Sequence, residues 1–268
     1  KDMAIPPWLE ELCQRLRAND PDLTNLNLNI RRLNDEYSHA LSQSLVHNTV
    51  LQVLNLVSSI TQTNAEVAIL RILPETNLKK LYASYNCIQN VGALAVGTAL
   101  RSSTLTLKEL HLDYNNITAE GAKSIAQGLQ ENQTLEICQL NCNDIGEDGA
   151  VEFGRMLERN TTLHKLGLNR NRITSHGGMA LWEGLQTNVT LQELSLSQNN
   201  LIPSPVVEKI DFTTRANQCG RYLLRLNDSP QGLPIGLWSH VLAHANDNPE
   251  MIYYFLSAQP ELMIMTSH

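Results

Sequence analysis

The chain has 268 residues, few aromatics and a formal net charge of −7. That charge argues against non-specific attraction to nucleic acid or to an anionic membrane surface. No apolar run approaches the roughly 20 residues that a spanning helix needs, and the first residues, KDMAIPPWLEEL, have no secretory or transit character. The five cysteines, Cys13, Cys87, Cys138, Cys142 and Cys219, are odd in number and irregular in spacing. They indicate a reducing compartment rather than a disulfide framework; the expected setting is intracellular and cytoplasmic, or an organelle if a targeting segment has been removed.

In chain order, Pro6-Pro7 can open a helix, because proline is tolerated in a first turn. Trp8, Leu9, Leu12, Cys13 and Leu16 then form one apolar stripe, which Asn19-Asp20-Pro21 ends. Residues 1–22 are therefore expected to be an N-terminal capping helix.

From Leu23 onward the chain repeats itself. Equivalent leucines open units at Leu23, Leu51, Leu78, Leu107, Leu135, Leu163 and Leu191, with successive differences of 28, 27, 29, 28, 28 and 28 residues. Each unit begins with LxxLxL, a strand pattern, with Ala83 in place of the third leucine in unit three and Cys138 in place of the second in unit five, and continues with apolar residues at helical spacing, such as Ala122, Ile125, Ala126 and Leu129 in unit four. Neither half can bury its apolar side alone, so the units must stack. Residues 23–201 are expected to form seven such units.

Asparagine recurs at the turn leaving the strand, at Asn86, Asn115, Asn143, Asn171 and Asn199, while units one and two carry Arg31 and Ser59 there. A short amide at that place can bond free backbone groups of its own and the adjacent turn, so the five are expected to form a buried ladder. Units one and two are expected to be less regular. Gly92, Gly121, Gly149 and Gly177 recur near the helix starts, where the backbone passes closely by the preceding loop. Asn132, Asn160 and Asn188 lie in N-x-T triplets, in phase with the repeat. They are expected to be turn residues that exploit asparagine's tolerance of left-handed backbone, not glycosylation sites. Cys138 replaces an inward leucine, and Cys142, about 13 Å along a strand, is too far away to share a metal ion with it.

Residues 202–268 are expected to hold a degenerate last strand, with Val207, Ile210 and Phe212 in the LxxLxL pattern, then a helical C-terminal cap over Pro234–Ala245 and Pro249–Leu256. His240 and His244, one helical turn apart, suggest no third metal ligand, and no cofactor is expected.

The phrase LxxLxLxxNxIxxxGAxxxAxxLxxNxTL, from Leu107 to Leu135, resembles the leucine-rich repeat of the ribonuclease-inhibitor type. The resemblance implies an α/β right-handed horseshoe solenoid, with a parallel sheet on the concave side, helices on the convex side and helical caps at both ends. Parallel strands do need helical crossovers, and those are right-handed. Proteins of this type are mostly non-catalytic binding scaffolds, among them inhibitors, innate-receptor sensor regions, tropomodulins and the activating protein of the GTPase Ran. The expected role is protein–protein interaction on the concave face, with regulation of a small GTPase as the alternative.

Alternation places the residues two, four and six positions after each opening leucine on the concave face, with the seventh at its rim. The residues expected to meet a partner are Lys80, Tyr82, Tyr85, Glu109, His111, Asp113, Tyr114, Gln139, Asn141, Lys165, Asn169 and Arg170. Tyrosines with a rigid body and a polar tip suit such a surface. Glu109, His111 and Asp113 could suggest acid–base chemistry, but no nucleophile or enclosed pocket accompanies them.

Overall fold

A computed structural model describes residues 5–59, 63–221, 243, 245 and 248–257. Seven three-residue strands form one sheet in sequence order: β1 (Asn25–Asn27), β2 (Val53–Asn55), β3 (Lys80–Tyr82), β4 (Glu109–His111), β5 (Ile137–Gln139), β6 (Lys165–Gly167) and β7 (Glu193–Ser195). Every neighbouring pair is parallel, and residues at the same place in successive units stand opposite each other, as Leu81, Leu110 and Cys138 do. Between the strands run α2 (Asp35–Leu45), α3 (Thr63–Arg71), α4 (Gln89–Leu100), α5 (Ala119–Glu131), α6 (Gly146–Leu157) and α7 (Ser175–Thr187). The result is an open α/β horseshoe solenoid.

The core follows from the leucine phase. In unit four Leu107, Leu110, Leu112 and Ile117 from the strand side meet Ala122, Ile125, Ala126 and Leu129 from α5, and all are buried. The leucines and isoleucines among them contribute about 1.5–3 kcal/mol each when fully buried, so stacking rather than helix propensity holds the layers. Helix α1 (Pro7–Arg17) closes the first layer with Leu9, Cys13 and Leu16. Cys138 is wholly buried, and that burial pushes its thiol up to about 12.

Two asparagine ladders tie the units together. The first is at the strand exit. Asn143 donates to the carbonyls of Leu112 and Leu140, each at 3.0 Å, and its Oδ1 accepts from Asn115 N and Ile117 N, also at 3.0 Å. Asn199 repeats this with Leu168, Leu196, Asn171 and Ile173. Turn backbone that would otherwise be buried unpaired is thereby satisfied. In units one and two the strands keep the common register, while the helices are shorter than in the later units, at 11 and 9 residues, and a 3-10 turn, Leu73–Glu75, follows α3. Ser59, buried where later units have asparagine, still donates to the preceding unit's Leu28 carbonyl. Arg31 instead reaches over the Trp8 ring at 5.2 Å, tying the first turn to α1.

The second ladder is at the helix exit. Asn132, Asn160 and Asn188 are buried and donate to the carbonyls of Leu100, Leu129 and Leu157, while each Oδ1 accepts the amide of the next opening leucine. Asn48 does the same with Leu16 and Leu51. The expected left-handed backbone is absent: Asn132 and Asn188 have φ of −74° and −79° and are extended. Their value lies in the amide, not in an unusual φ.

The units also alternate. Helices α4 and α6 begin directly after Ile88 and Ile145, have 12 residues, and start on Gln89 and Gly146 with positive φ. Helices α5 and α7 begin one residue later in their units, after Thr118 and Thr174, have 13 residues, and put the positive φ at Asn116 and Arg172. Glycine backbones then cross within each couple. A Cβ on Gly128 would lie 2.4 Å from the Gly97 carbonyl oxygen of α4, and one on Gly184 would lie 2.2 Å from that of Gly154 in α6.

The expected strand at Val207–Phe212 is instead part of α8 (Ser204–Gln218). Pro203 and Pro205 sit at and just inside its start, where proline costs nothing. Val206, Ile210, Thr213 and Asn217 are buried at helical spacing, so the 3.6 period overrides the LxxLxL match. Helix α9 (Pro249–Ser257) packs Met251 and Phe255 against Ala216 and Cys219 of the α8 end. The expected helix at Pro234–Ala245 falls almost wholly outside the described residues, as do His240 and His244.

Candidate functional site

The concave face is built by residues that alternate with the buried leucines. Between β3 and β4 it carries a compact polar–aromatic group. Lys80 Nζ lies 2.7 Å from Glu109 Oε1, and the Tyr82 hydroxyl donates to Glu109 Oε2 at 3.5 Å. The Tyr82 and His111 rings meet at 4.6 Å between centroids, tilted by 30°. The hydrogen bond and charge of Glu109 hold the Lys80 ammonium above its ordinary pKa. Burial holds the His111 imidazole below its own, with Asp113 and Glu109 opposing. His111 Nε2 is buried without a hydrogen-bond partner among the described residues, and the Glu109 carboxylate is 3.9 Å away, too far for one.

Further along, Asp113, Asn141 and Asn169 form a third ladder. Asp113 Oδ1 accepts from Asn141 N at 2.8 Å and Asn141 Nδ2 at 2.7 Å, and Oδ2 accepts from Ser84 Oγ at 3.1 Å. Asn141 Oδ1 accepts from Asn169 N at 2.9 Å, and Asn169 Oδ1 from Ser197 N at 2.7 Å. These side chains therefore hold neighbouring strands together as well as facing the concavity. Gln139 fills the gap left by Gly167, where a Cβ would lie 1.9 Å from Gln139 Oε1. Lys165 is paired with Glu193 at 3.0 Å. The charges on the sheet thus compensate one another locally.

Tyr85, Tyr114 and Arg170 stand apart from this group, on the rim. With Ile30, Ser58, Cys142 and Gln198 they form a row seven residues after each opening leucine, and all seven have positive φ, from 51° to 63°. The left-handed turn is imposed by the fold, since the next residue must face inward for the asparagine ladder. Tyr85 and Tyr114 stack at 4.2 Å with ring planes 13° apart. Sequence reasoning placed these residues at the rim but gave no sign of their backbone, because alternation reports direction and not φ.

Among the described residues no group of three or more His, Cys, Asp or Glu side chains is placed to hold a metal ion. None of the described helices is long and apolar enough to cross a membrane.

The stacked strand–helix units with LxxLxL cores and asparagine-capped turns make this chain a leucine-rich-repeat protein, consistent with the ribonuclease-inhibitor type. The family profile described as leucine rich repeat matches residues 105–126, 131–154 and 159–181. Leiomodin-2 of Gallus gallus is 29% identical over 133 residues, which is 48% of this chain and 24% of that protein. The chain thus matches about a quarter of the length of that relative. Two solved structures are also similar: one titled leiomodin-1 actin-binding site 2 (18% identity, TM-score 0.44, 85% of this chain and 99% of that one). The other is a tropomodulin C-terminal domain from Caenorhabditis elegans (14% identity, TM-score 0.41, 81% and 98%).

Proposed function

We propose that the chain is a non-catalytic protein-interaction scaffold that receives another protein on its concave face, centred on β3 to β6. The observation that carries this reading is the Lys80–Tyr82–Glu109–His111 group on a sheet whose geometry is fixed by its ladders. Aromatic and ionic groups held rigid before binding lose little entropy when a partner docks. Because the sheet charges are paired internally, binding depends on shape, aromatic contact and hydrogen bonds more than on long-range steering. Glu109 and His111 lie on an open sheet that does not exclude water, which favours binding over acid–base catalysis.

Actin is the first partner to try, because the sequence is 28% identical to leiomodin-1 over 138 residues and a solved leiomodin-1 domain is titled an actin-binding site. Binding is measured by biolayer interferometry with the chain immobilised, beside the variant Tyr82→Ala, His111→Ala, Lys165→Ala. Asp113 is left intact, since its removal would open the ladder. Loss of binding with unchanged circular dichroism supports the concave reading, and undiminished binding moves the interface off the sheet. If actin does not bind the native chain, the same pair of proteins is used to screen an extract for partners that only the native chain retains.

A further inference from the structure

The two ends of the sheet are closed differently. At the C-terminal end, α8 answers outer carbonyls at the β7 edge: Asn217 Nδ2 donates to Leu191 O at 2.8 Å and Gln218 Nε2 to Gln192 O at 2.7 Å. At the N-terminal end, β1 is the first strand in the sheet order. Val53 N donates to Thr24 O and Leu28 N to Asn55 O, so Thr24, Leu26 and Leu28 turn their peptide groups towards β2. Asn25 and Asn27 turn theirs the other way, and among the described residues nothing bonds them. The layer order shows the same gap. Every later layer stacks a strand and a helix, whereas α1 packs on α2 in a layer that has no strand among the described residues.

Side chains give a second, independent observation. Sheets commonly protect an open edge with charged residues, proline or a covering element. The outward residues of β1, Asn25 and Asn27, are exposed, uncharged and compatible with pairing. Beneath them, Leu23 and Leu26 keep 8% and 7% exposure, where their counterparts in the next unit, Leu51 and Leu54, keep 1% and 0%. Ile30, just beyond the strand, is 70% exposed. Unpaired main chain and uncovered apolar surface therefore coincide at one place.

We infer that the β1 edge receives an extended segment of a partner protein, which adds to the sheet as a further strand beside Asn25–Asn27. The chemistry of the edge selects this occupant. It offers two N–H and two C=O groups in alternation, repeating about every 7 Å along the strand. The main chain of an extended segment matches that array, whereas a helix has already spent its peptide groups internally. One side chain of the segment points inward opposite Leu26 and is apolar. Its two neighbours point to the concave side beside Asn25 and Asn27. There they meet a shallow pocket of about 360 Å³ lined by Asn25, Asn27, Val53, Asn55, Lys80 and Tyr82. The pocket joins the edge to the Lys80–Tyr82 group, so the inference rests on the protein-scaffold reading and specifies how the partner's chain enters.

The test uses the full chain and a phage-displayed library of random linear peptides. Enriched peptides are made synthetically, and their affinities are read by fluorescence polarisation. In Asn27→Pro the ring replaces the outward N–H, while the bonds to β2 belong to Thr24, Leu26 and Leu28 and stay in place. Asn27→Ala removes the same side chain and keeps the N–H. The result expected is a roughly tenfold or greater loss of affinity in Asn27→Pro and less than about threefold in Asn27→Ala, with the two variants melting alike. Hydrogen exchange of the native chain should slow at the Asn25 and Asn27 amides when peptide is bound, a readout that no misfolded variant can mimic. No enrichment, affinities indifferent to Asn27→Pro, equal losses in the two variants, or unchanged exchange at Asn25 and Asn27 would each overturn the added strand. Peptides lost with Tyr82→Ala and His111→Ala but indifferent to Asn27→Pro would overturn it while leaving the concave reading in place.

Discussion

Two rows of residues run side by side through the molecule, one position apart in every unit, and they obey opposite rules. Asn86, Asn115, Asn143, Asn171 and Asn199 are buried and chemically uniform. Just before them, Tyr85, Tyr114, Cys142, Arg170 and Gln198 face outward and share nothing but a left-handed backbone. Where a side chain must satisfy its neighbours' peptide groups, one residue type solves the problem and is repeated. Where it only stands on a turn, the type is free.

Four substitutions break or sharpen this contrast. The largest effect is expected from Asn143→Ala, which removes a donor to Leu112 and Leu140 and an acceptor for Asn115 N and Ile117 N. Several buried backbone groups lose their partner at once, so chemical denaturation should show a loss of about 3–5 kcal/mol. Next comes Gly128→Ala, whose new Cβ would lie 2.4 Å from the Gly97 carbonyl oxygen. Overpacking of a helix crossing of this kind costs about 1–3 kcal/mol, and the melting temperature should fall accordingly.

A smaller, pH-dependent effect belongs to His111, which burial holds below its ordinary value of 6.5. Above that pH both folded and unfolded chains leave the ring neutral, and the residue takes nothing from stability. As pH falls below it, the unfolded chain takes up the proton first, so stability should decline until the folded ring protonates in turn. A pH series of denaturation curves should show this decline in the native chain and a shallower one in His111→Gln. The smallest effect is expected from Tyr114→Asn. Relief of the left-handed tyrosine offsets the lost stack with Tyr85, and denaturation should change by less than about 1 kcal/mol. A large loss there would mean that the rim row is structural after all.

The fold was legible because one signal, the leucine phase, recurs seven times and no single residue had to be decisive. Its failures are local. Val207, Ile210 and Phe212 fit the strand pattern by coincidence, while the buried Val206, Ile210, Thr213 and Asn217 follow a helical period. The alternation of helix starts was hidden because it moves a helix start by a single residue while the unit length stays near constant. The site was harder to read. Asp113, Asn141 and Asn169 occupy outward positions, and a polar side chain there looks the same in sequence whether it meets a partner or the next strand's amide. Burial of His111 and the stacking of Tyr85 on Tyr114 depend on neighbours some 28 residues away, which only the register brings together.

The glycine crossings have a consequence for how such a chain can lengthen or shorten. Helix α4 is shaped to receive α5 and α6 to receive α7, each through an approach that an added methyl would block. Excising a single unit would bring together two helices cut for other neighbours, whereas excising a couple would join surfaces that already match. Between α4 and α7, the piece that could be removed with matching surfaces left behind is therefore the couple and not the single repeat.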